Sequence, residues 1–327
     1  MTTSASRLGR RLAGGLALGL AAALTVTACS SGTESTSPTG AASGGAAAGA
    51  TTLKVTSLGL CAELPVYWAQ SKGLFAEHGL DVVLEKVQGG AAGLAAVQSG
   101  AVDVAFANPF TTMKAIDSGI DLKYFANMQM SPVSETQPTN TLFVKDDSPI
   151  TALTDFDGRK IAVNELGGIN NIVTAAAIAA AGGDPSKVEW VNLPFPDMGA
   201  AVAGGKVDAG QGPAQFMNAT PGLRDLGNPF VIAGKGEPLL VAGYVAPGEA
   251  VSANEAVYQG FKDALTQAVA AVNDPANADA ALAVQAEGCK QDVDLLKKTP
   301  QAPYGVVVDP AAMERMRALL TEFGGIA

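Results

Sequence analysis

Residues 94–109 read LAAVQSGAVDVAFANP, and residues 199–214 read GAAVAGGKVDAGQGPA. Each stretch has small residues on a helical pattern, a Gly, an x-Val-Asp step, a short strand-like run and a Pro. Gly100, Val102 and Asp103 answer to Gly205, Val207 and Asp208. The copies lie about a hundred residues apart, far beyond the ~20–50-residue period of a solenoid. The repeat is therefore at domain scale, and each copy predicts one small α/β domain. Asp103 and Asp208 are expected to cap or satisfy turns, leaving ligand choice to the differing tips that follow.

Working outward, strand-like and helix-like segments alternate from residue 53. LKVTSLGL (53–60) predicts a strand, residues 62–79 a helix stopped by Gly79, and LDVVLEKV (80–87) a second strand. A short helix over 91–100, a strand over 102–107, a helix opened by Pro109 and a strand over 121–128 follow. A second cycle runs from about 143: a strand at 160–164, an Ala-rich helix ended by Gly182-Gly183, a strand over 187–193, a helix over 198–205, a strand over 206–212 and a helix after Pro213. From 239 the pattern changes to a long strand, LLVAGYVAP. A helix over 252–272 follows, with Ser252 and Glu255 spaced for a capping box, then helices over 275–287 and 309–323. Such alternation predicts a mostly parallel α/β sheet in each cycle.

Of the 327 residues, 48% are hydrophobic and only 16% charged, enough apolar material for real cores; the formal charge is −10. That balance excludes nucleic acid as a partner, because no basic patch exists to neutralise phosphates. Arg7, Arg10 and Arg11 precede an apolar run, Leu12–Val26, shorter than the ~20 residues that span a bilayer. Val26-Thr27-Ala28-Cys29 closes the segment, so residues 1–28 read as a signal peptide. The ending resembles a bacterial lipobox, which implies cleavage before Cys29 and lipidation of its thiol; a plain signal peptide or an anchor are the alternatives. Residues 29–52 are a lipidated Cys and a Gly/Ser/Thr/Ala tether without large apolar residues. Cys61 and Cys289 either pair as a disulfide, which an oxidising compartment allows, or stand as two buried thiols.

YWAQSKGLFAEHGLDVVLEKVQGGAAGLAAVQSGAVDVAFANP (67–109), SPITALTDFDGRKIAV (148–163) and the run from Gly167 to Gly210 carry a resemblance. They resemble the solute-binding lipoproteins of bacterial ABC importers, in the NMT1/THI5-like branch that binds nitrate, sulfonates, taurine and thiamine pyrimidines. The resemblance implies an α/β, two-lobed periplasmic-binding-protein-like fold of type II, with two crossover strands and a cleft between lobes. Lobe one would be 53–141 plus 246–327, and lobe two 142–245 with the crossover strands. It further implies an extracytoplasmic, monomeric protein on the outer face of the cell membrane, held by lipid on Cys29 and serving a permease and ATPase. A lipid-anchored ligand sensor is the alternative, and a pyrimidine-biosynthesis-like enzyme a weaker one, since its cysteine-rich pattern is missing here.

Ligands of open α/β sheets bind beyond the carboxyl ends of strands, where helix N-termini converge. That rule selects four loops. The first carries Ser57, Leu60 and Cys61, with Tyr67 one to two helical turns on; an aromatic there is equally a core residue. Gly89 and Gly90 expose N–H donors or serve a turn. Asn108 and Pro109 open a helix, where Asn is also a natural N-cap. Asn164, Gly167, Gly168 and Asn170 form the densest cluster of amides and glycines. Gln211 and Gln215 face the cleft by symmetry with Asn108, and Tyr244, Phe195 and Phe216 are candidate aromatic walls. None of the four loops holds an Arg or Lys, so helix N-termini and amides would hold an anion, and a neutral heterocycle suits them equally well. The single His78 ends a helix beside Gly79, a surface position favoured by the helix dipole. No metal cluster, cofactor motif or catalytic triad is readable.

Overall fold

In the computed structural model, residues 49–134 and 139–326 are described; the expected signal peptide, Cys29 and most of the expected tether lie outside them. Strands β1 (Thr51–Ser57) and β2 (Leu80–Lys86) flank helices α1 (Leu64–Ser71) and α2 (Leu74–Glu77). Next come α3 (Gly90–Gln98), β3 (Ala105–Ala107), α4 (Pro109–Asp117) and β4 (Lys123–Met130). The second cycle holds β5 (Asn140–Lys145), β6 (Lys160–Val163), α5 (Ile169–Ala180), β7 (Glu189–Asn192), α6 (Phe195–Ala203), β8 (Ala209–Pro213), α7 (Ala214–Asn218), β9 (Leu223–Asp225) and α8 (Pro229–Gly234). The chain then runs through β10 (Leu240–Ala246), α9 (Gly248–Ala253), α10 (Glu255–Val272), α11 (Ala278–Cys289), α12 (Val293–Leu296) and α13 (Pro310–Phe323).

The repeat read from sequence is a repeat of sheet topology. In the first sheet β2 pairs β1 in parallel, a parallel bridge from Val55 to Val104 leads to β3, and antiparallel β10 links β3 to β4. In the second sheet β7 pairs β6 and β6 pairs β8 in parallel, and antiparallel β5 links β8 to β9. The Val-Asp step does the same work in both. Asp103 Oδ2 accepts the N–H of Lys54, and Asp208 Oδ2 accepts the N–H of Lys160, each at 2.8 Å. Each carboxylate thus ties the approach of the third strand to the start of the first. In each sheet the antiparallel strand is the one that carries the chain across from the other sheet: β5 follows β4, and β10 follows α8.

That exchange moves a boundary. Strand β10, residues 240–246, pairs wholly with β3 and β4, so it belongs to the first sheet and not to the second lobe, whose expected range ran to 245. The crossings lie before β5 and before β10. The last helix was expected with the first lobe; α13 packs Ala312, Met316 and Leu320 into one cluster with Phe110 of α4 and Ile172 and Val173 of α5, so it joins both halves.

Three local expectations change for physical reasons. The helix over 62–79 is broken between α1 and α2 at Gly73, whose φ of 73° is left-handed. The helix over 252–272 is broken at Asn254. Ser252 lies inside α9 and donates to the carbonyl of Gly248, so no capping box forms with Glu255. Thr51 and Thr52, placed in the tether, extend β1 and pair with Leu80 and Asp81. Asp309 caps α13, accepting from the N–H groups of Ala311 and Ala312. Among the described residues no helix is long and apolar enough to cross a membrane.

Candidate functional site

Parallel strands of both sheets point their carboxyl ends at a common gap, and the antiparallel strands begin there. A cavity of about 50 Å³ lies in it. From the first sheet side it is lined by Leu58 and Leu60 after β1, Gly90 after β2, Phe106 to Asn108 at the end of β3, Gln129 near the end of β4, and Val241 and Ala242 at the start of β10. From the second it is lined by Asn140 opening β5, Asn164 after β6, Ile169 and Asn170 in α5, Phe195 in α6 and Pro213 ending β8. Five carboxamides therefore converge on one small space, and no Lys, Arg or His lines it. A larger groove of about 450 Å³ between α5, α8 and α13 is lined mainly by Ala, Gly and Leu, with Lys235, Glu237, Arg315 and Glu322 beside them. It lacks the convergent buried polar groups that fix a ligand's orientation.

The carboxamides are partly committed to scaffold. Asn108 is the N-cap of α4, its Oδ1 accepting the N–H of Thr111 at 3.0 Å while it also lines the cavity. Asn170 Nδ2 donates to Asn164 Oδ1 at 2.7 Å, which fixes the two amides against each other. Asn140 is 4% exposed, and its Nδ2 has no partner among the described residues. A buried donor left unpaired is costly, on the order of 1–3 kcal/mol, and here it lies at the cavity wall.

The halves meet around this space. Thr111 Oγ1 donates to Glu165 Oε1 at 2.7 Å, and Lys114 Nζ donates to the carbonyl of Gly167 at 3.0 Å. Gly167 has a φ of 66°, a left-handed conformation that favours glycine, and it lies against the mobile end of the Lys114 side chain. The N–H of Cys61 donates to Gln215 Oε1 at 3.0 Å. Leu60 packs among Phe143, Phe195 and Met198 of the second half; burying a leucine is worth roughly 1.5–3 kcal/mol.

A buried acid holds the first loop. Glu63 is 1% exposed, and its Oε1 accepts the N–H groups of Leu58 and Leu60 at 3.0 and 2.9 Å. Burial pushes its carboxyl up to about 7, against the lowering effect of those hydrogen bonds and of Ser57. Cys61 and Cys289 form a disulfide that fastens the same loop to the end of α11, and Gln285 Nε2 adds a bond to the Cys61 carbonyl at 2.9 Å. The pairing that spacing left open is thus settled.

Of the residues singled out from sequence, Leu60, Gly90, Asn108, Asn164, Asn170 and Phe195 line the cavity. Ser57 and Gly89 sit directly behind Leu58 and Gly90, Ser57 Oγ accepting the N–H of Gly59 at 3.0 Å. Pro109, Gly167 and Gly168 shape the starts of α4 and α5. Cys61 and Gln215 touch each other across the gap rather than line it. Tyr67 is absent from the cavity wall: its ring packs on Gly288, and its hydroxyl faces Ser57 and Glu63. Tyr244 is a core residue, 1% exposed and packed on Phe106 and Phe261. Gln211 is fully buried on the strand face it shares with Ala209, opposite Leu142, and is absent from the cavity wall. Gln129 and Asn140 were not singled out. Polar carboxamides inside otherwise apolar strands, KYFANMQM and NTLFVK, are the signal that finds them, since strands disfavour Asn and burial disfavours both.

Among the described residues no group of His, Cys, Asp and Glu could hold a metal ion. The four arginines of the body work elsewhere: Arg159 faces Asp208, Arg224 the carbonyls of Ser148 and Ile150, Arg315 that of Pro238, and Arg317 Asp117.

Two α/β sheets of matching topology, exchanging one strand each around an amide-lined gap, define a periplasmic-binding-protein fold. Comparisons with known proteins agree. The family described as NMT1/THI5 like matches residues 62–278, and the chain belongs to that family. Similar solved structures include the periplasmic aliphatic sulphonate binding protein SsuA from Escherichia coli, 20% identical, with 83% of this chain and 92% of that chain covered and a TM-score of 0.66. The alkanesulfonate-binding protein SsuA from Xanthomonas axonopodis pv. citri, bound to MOPS, is 19% identical with coverage of 83% and 90% and a TM-score of 0.70. The periplasmic nitrate-binding protein NrtA from Synechocystis PCC 6803 is 16% identical with coverage of 81% and 75% and a TM-score of 0.63. A search of curated proteins found no match.

Proposed function

We propose that this chain is an extracytoplasmic solute-binding protein that captures a small solute between its two halves and delivers it to an ABC importer. The observation that carries the reading is the cavity itself: five carboxamides brought by separate elements of both sheets, with the Asn140 donor unpaired at its wall. Sulfonate- and nitrate-binding neighbours of the same fold support the transport role. The N-terminal pattern supports the rest: a signal over residues 1–28, lipid on Cys29 and a tether that keeps the body near a permease and ATPase at the outer membrane face. Lobe closure on the solute would present the two halves together to that partner.

A thermal-shift screen of the body against sulfonates, nitrate, taurine, pyrimidines and aromatic acids tests the reading. A solute that raises Tm in a saturable way, with loss of the effect in Asn140→Ala, is the expected result. No response across the panel, or a response indifferent to Asn140, would count against it.

A further inference from the structure

The start of α3 is built like an anion site and already faces an anion. Gly89 precedes the helix without a side-chain cap, so its first N–H groups look for an acceptor. The Glu165 carboxylate, from the other half of the molecule, lies against that turn: Oε2 is 3.9 Å from where a Cβ on Gly89 would stand. Its Oε1 is held by the Thr111 hydroxyl at 2.7 Å, in the first turn of α4. Oε2 is buried and has no hydrogen-bond partner among the described residues. Burial raises the carboxyl above its ordinary range, opposed by the Thr111 hydroxyl, the nearby N–H of Ala91 and the ammonium of Lys114, which favour the charged form. Asn164, the preceding residue, and Asn108, beside Thr111, line the cavity, so this carboxylate stands at its edge.

We infer that Glu165 supplies the negative charge at the α3 start from within the chain, so that the inner cavity selects uncharged solutes of amide, urea or cyclic-ureide type over sulfonates and nitrate. The inference rests on the solute-binding reading and deepens it. A second anion entering beside Glu165 would meet a like charge in a desolvated space. The cavity wall offers it no cation in return, since Lys114 is turned to the carbonyls of Gly167 and Gly324. Lys86 and Lys290 border an adjoining outer depression, beyond Leu58 and Leu60. Carboxamides both donate and accept, which suits a ligand that also does both and leaves half their capacity idle against an acceptor-only anion. The space of about 50 Å³ holds a molecule of a few heavy atoms, since one water needs roughly 10–15 Å³ on this measure.

The test compares urea, acetamide, uracil, methanesulfonate and nitrate by calorimetric titration of the wild-type body and of Glu165→Gln. At least one uncharged probe should bind the wild type more tightly than either anion. Glu165→Gln leaves the α3 start and Lys114 without a carboxylate, so anion affinity should rise about tenfold or more while uncharged-probe affinity changes about threefold at most. Tighter binding of methanesulfonate or nitrate by the wild type overturns the inference and leaves the solute-binding reading standing. Unchanged anion affinity in a folded Glu165→Gln overturns it equally. Should that variant fail to fold, Glu165→Ala serves, and the wild-type ranking decides without any variant. A wild type that binds none of the five overturns this inference, while the broader screen decides the reading beneath it.

Discussion

The N–H of Cys61 in the first half donates to Oε1 of Gln215 in the second, 3.0 Å away, with both residues buried. The bond exists only while the halves are together. Gln215→Ala leaves a buried N–H unpaired in the closed form, which should cost about 1–2 kcal/mol and weaken solute binding roughly tenfold. Titration calorimetry checks this; an unchanged affinity would show that Cys61 finds another acceptor and that the contact does not hold closure.

The disulfide should matter to stability as well as to loop position. It closes a sequence separation of 228 residues, and its loss through Cys61→Ser with Cys289→Ser should lower stability by about 2–4 kcal/mol. Denaturant unfolding measures the loss, and intact mass with and without reductant reports the bond itself.

Glu63 sets a pH dependence whose sign is fixed. Burial pushes its folded carboxyl up to about 7, above the ordinary carboxyl value of 4.5, so the folded state holds the proton more tightly than the unfolded chain. Its stabilising contribution is therefore full below pH ~4.5 and is lost as pH rises through ~7, a change of about 3 kcal/mol. Glu63→Gln keeps an acceptor for Leu58 and Leu60 and should flatten that part of the profile. Urea unfolding between pH 4.5 and 8 reads both curves; parallel curves would remove Glu63 as the source.

Asn108 and Asn140 separate scaffold from site. Asn108→Ala removes the α4 cap as well as a cavity amide, and should cost about 1 kcal/mol of stability together with affinity. Asn140 Nδ2 bonds nothing among the described residues. Asn140→Ala should therefore leave stability unchanged or higher, while solute affinity falls by about 1–3 kcal/mol. Equal stability losses in the two variants would contradict this assignment.

The repeat makes a paired prediction. Asp103→Ala and Asp208→Ala each remove one carboxylate-to-backbone bond of 2.8 Å, and should each cost about 1–2 kcal/mol without altering affinity. Thermal unfolding of both variants checks the equivalence.

These aspartates also mark how far sequence reading reaches. A Val-Asp step before a strand is a local pattern with a local cause, so its two copies expose two equivalent sheets. Loop residues such as Asn108, Asn164 and Asn170 were legible because they stand where strands end and helices begin. Exchange of β5 and β10 between sheets was harder to read, since which sheet a strand enters depends on partners about a hundred residues away. Gln129 and Asn140 were overlooked because they lie within strands, and Tyr244 and Gln211 were drawn to the cleft although they point into the interior. The Cys61–Cys289 bond had no spacing signal at all; only the fold brings those two loops together.

Hydrogen exchange of the body, with and without the solute that most raises Tm, tests the central claim most directly. Binding between the halves predicts slowed exchange at Leu58–Leu60, Asn108–Thr111 and Asn164–Asn170 together, because each segment lines or closes the same cavity. Protection confined to the groove between α5, α8 and α13, or to one half alone, would contradict it.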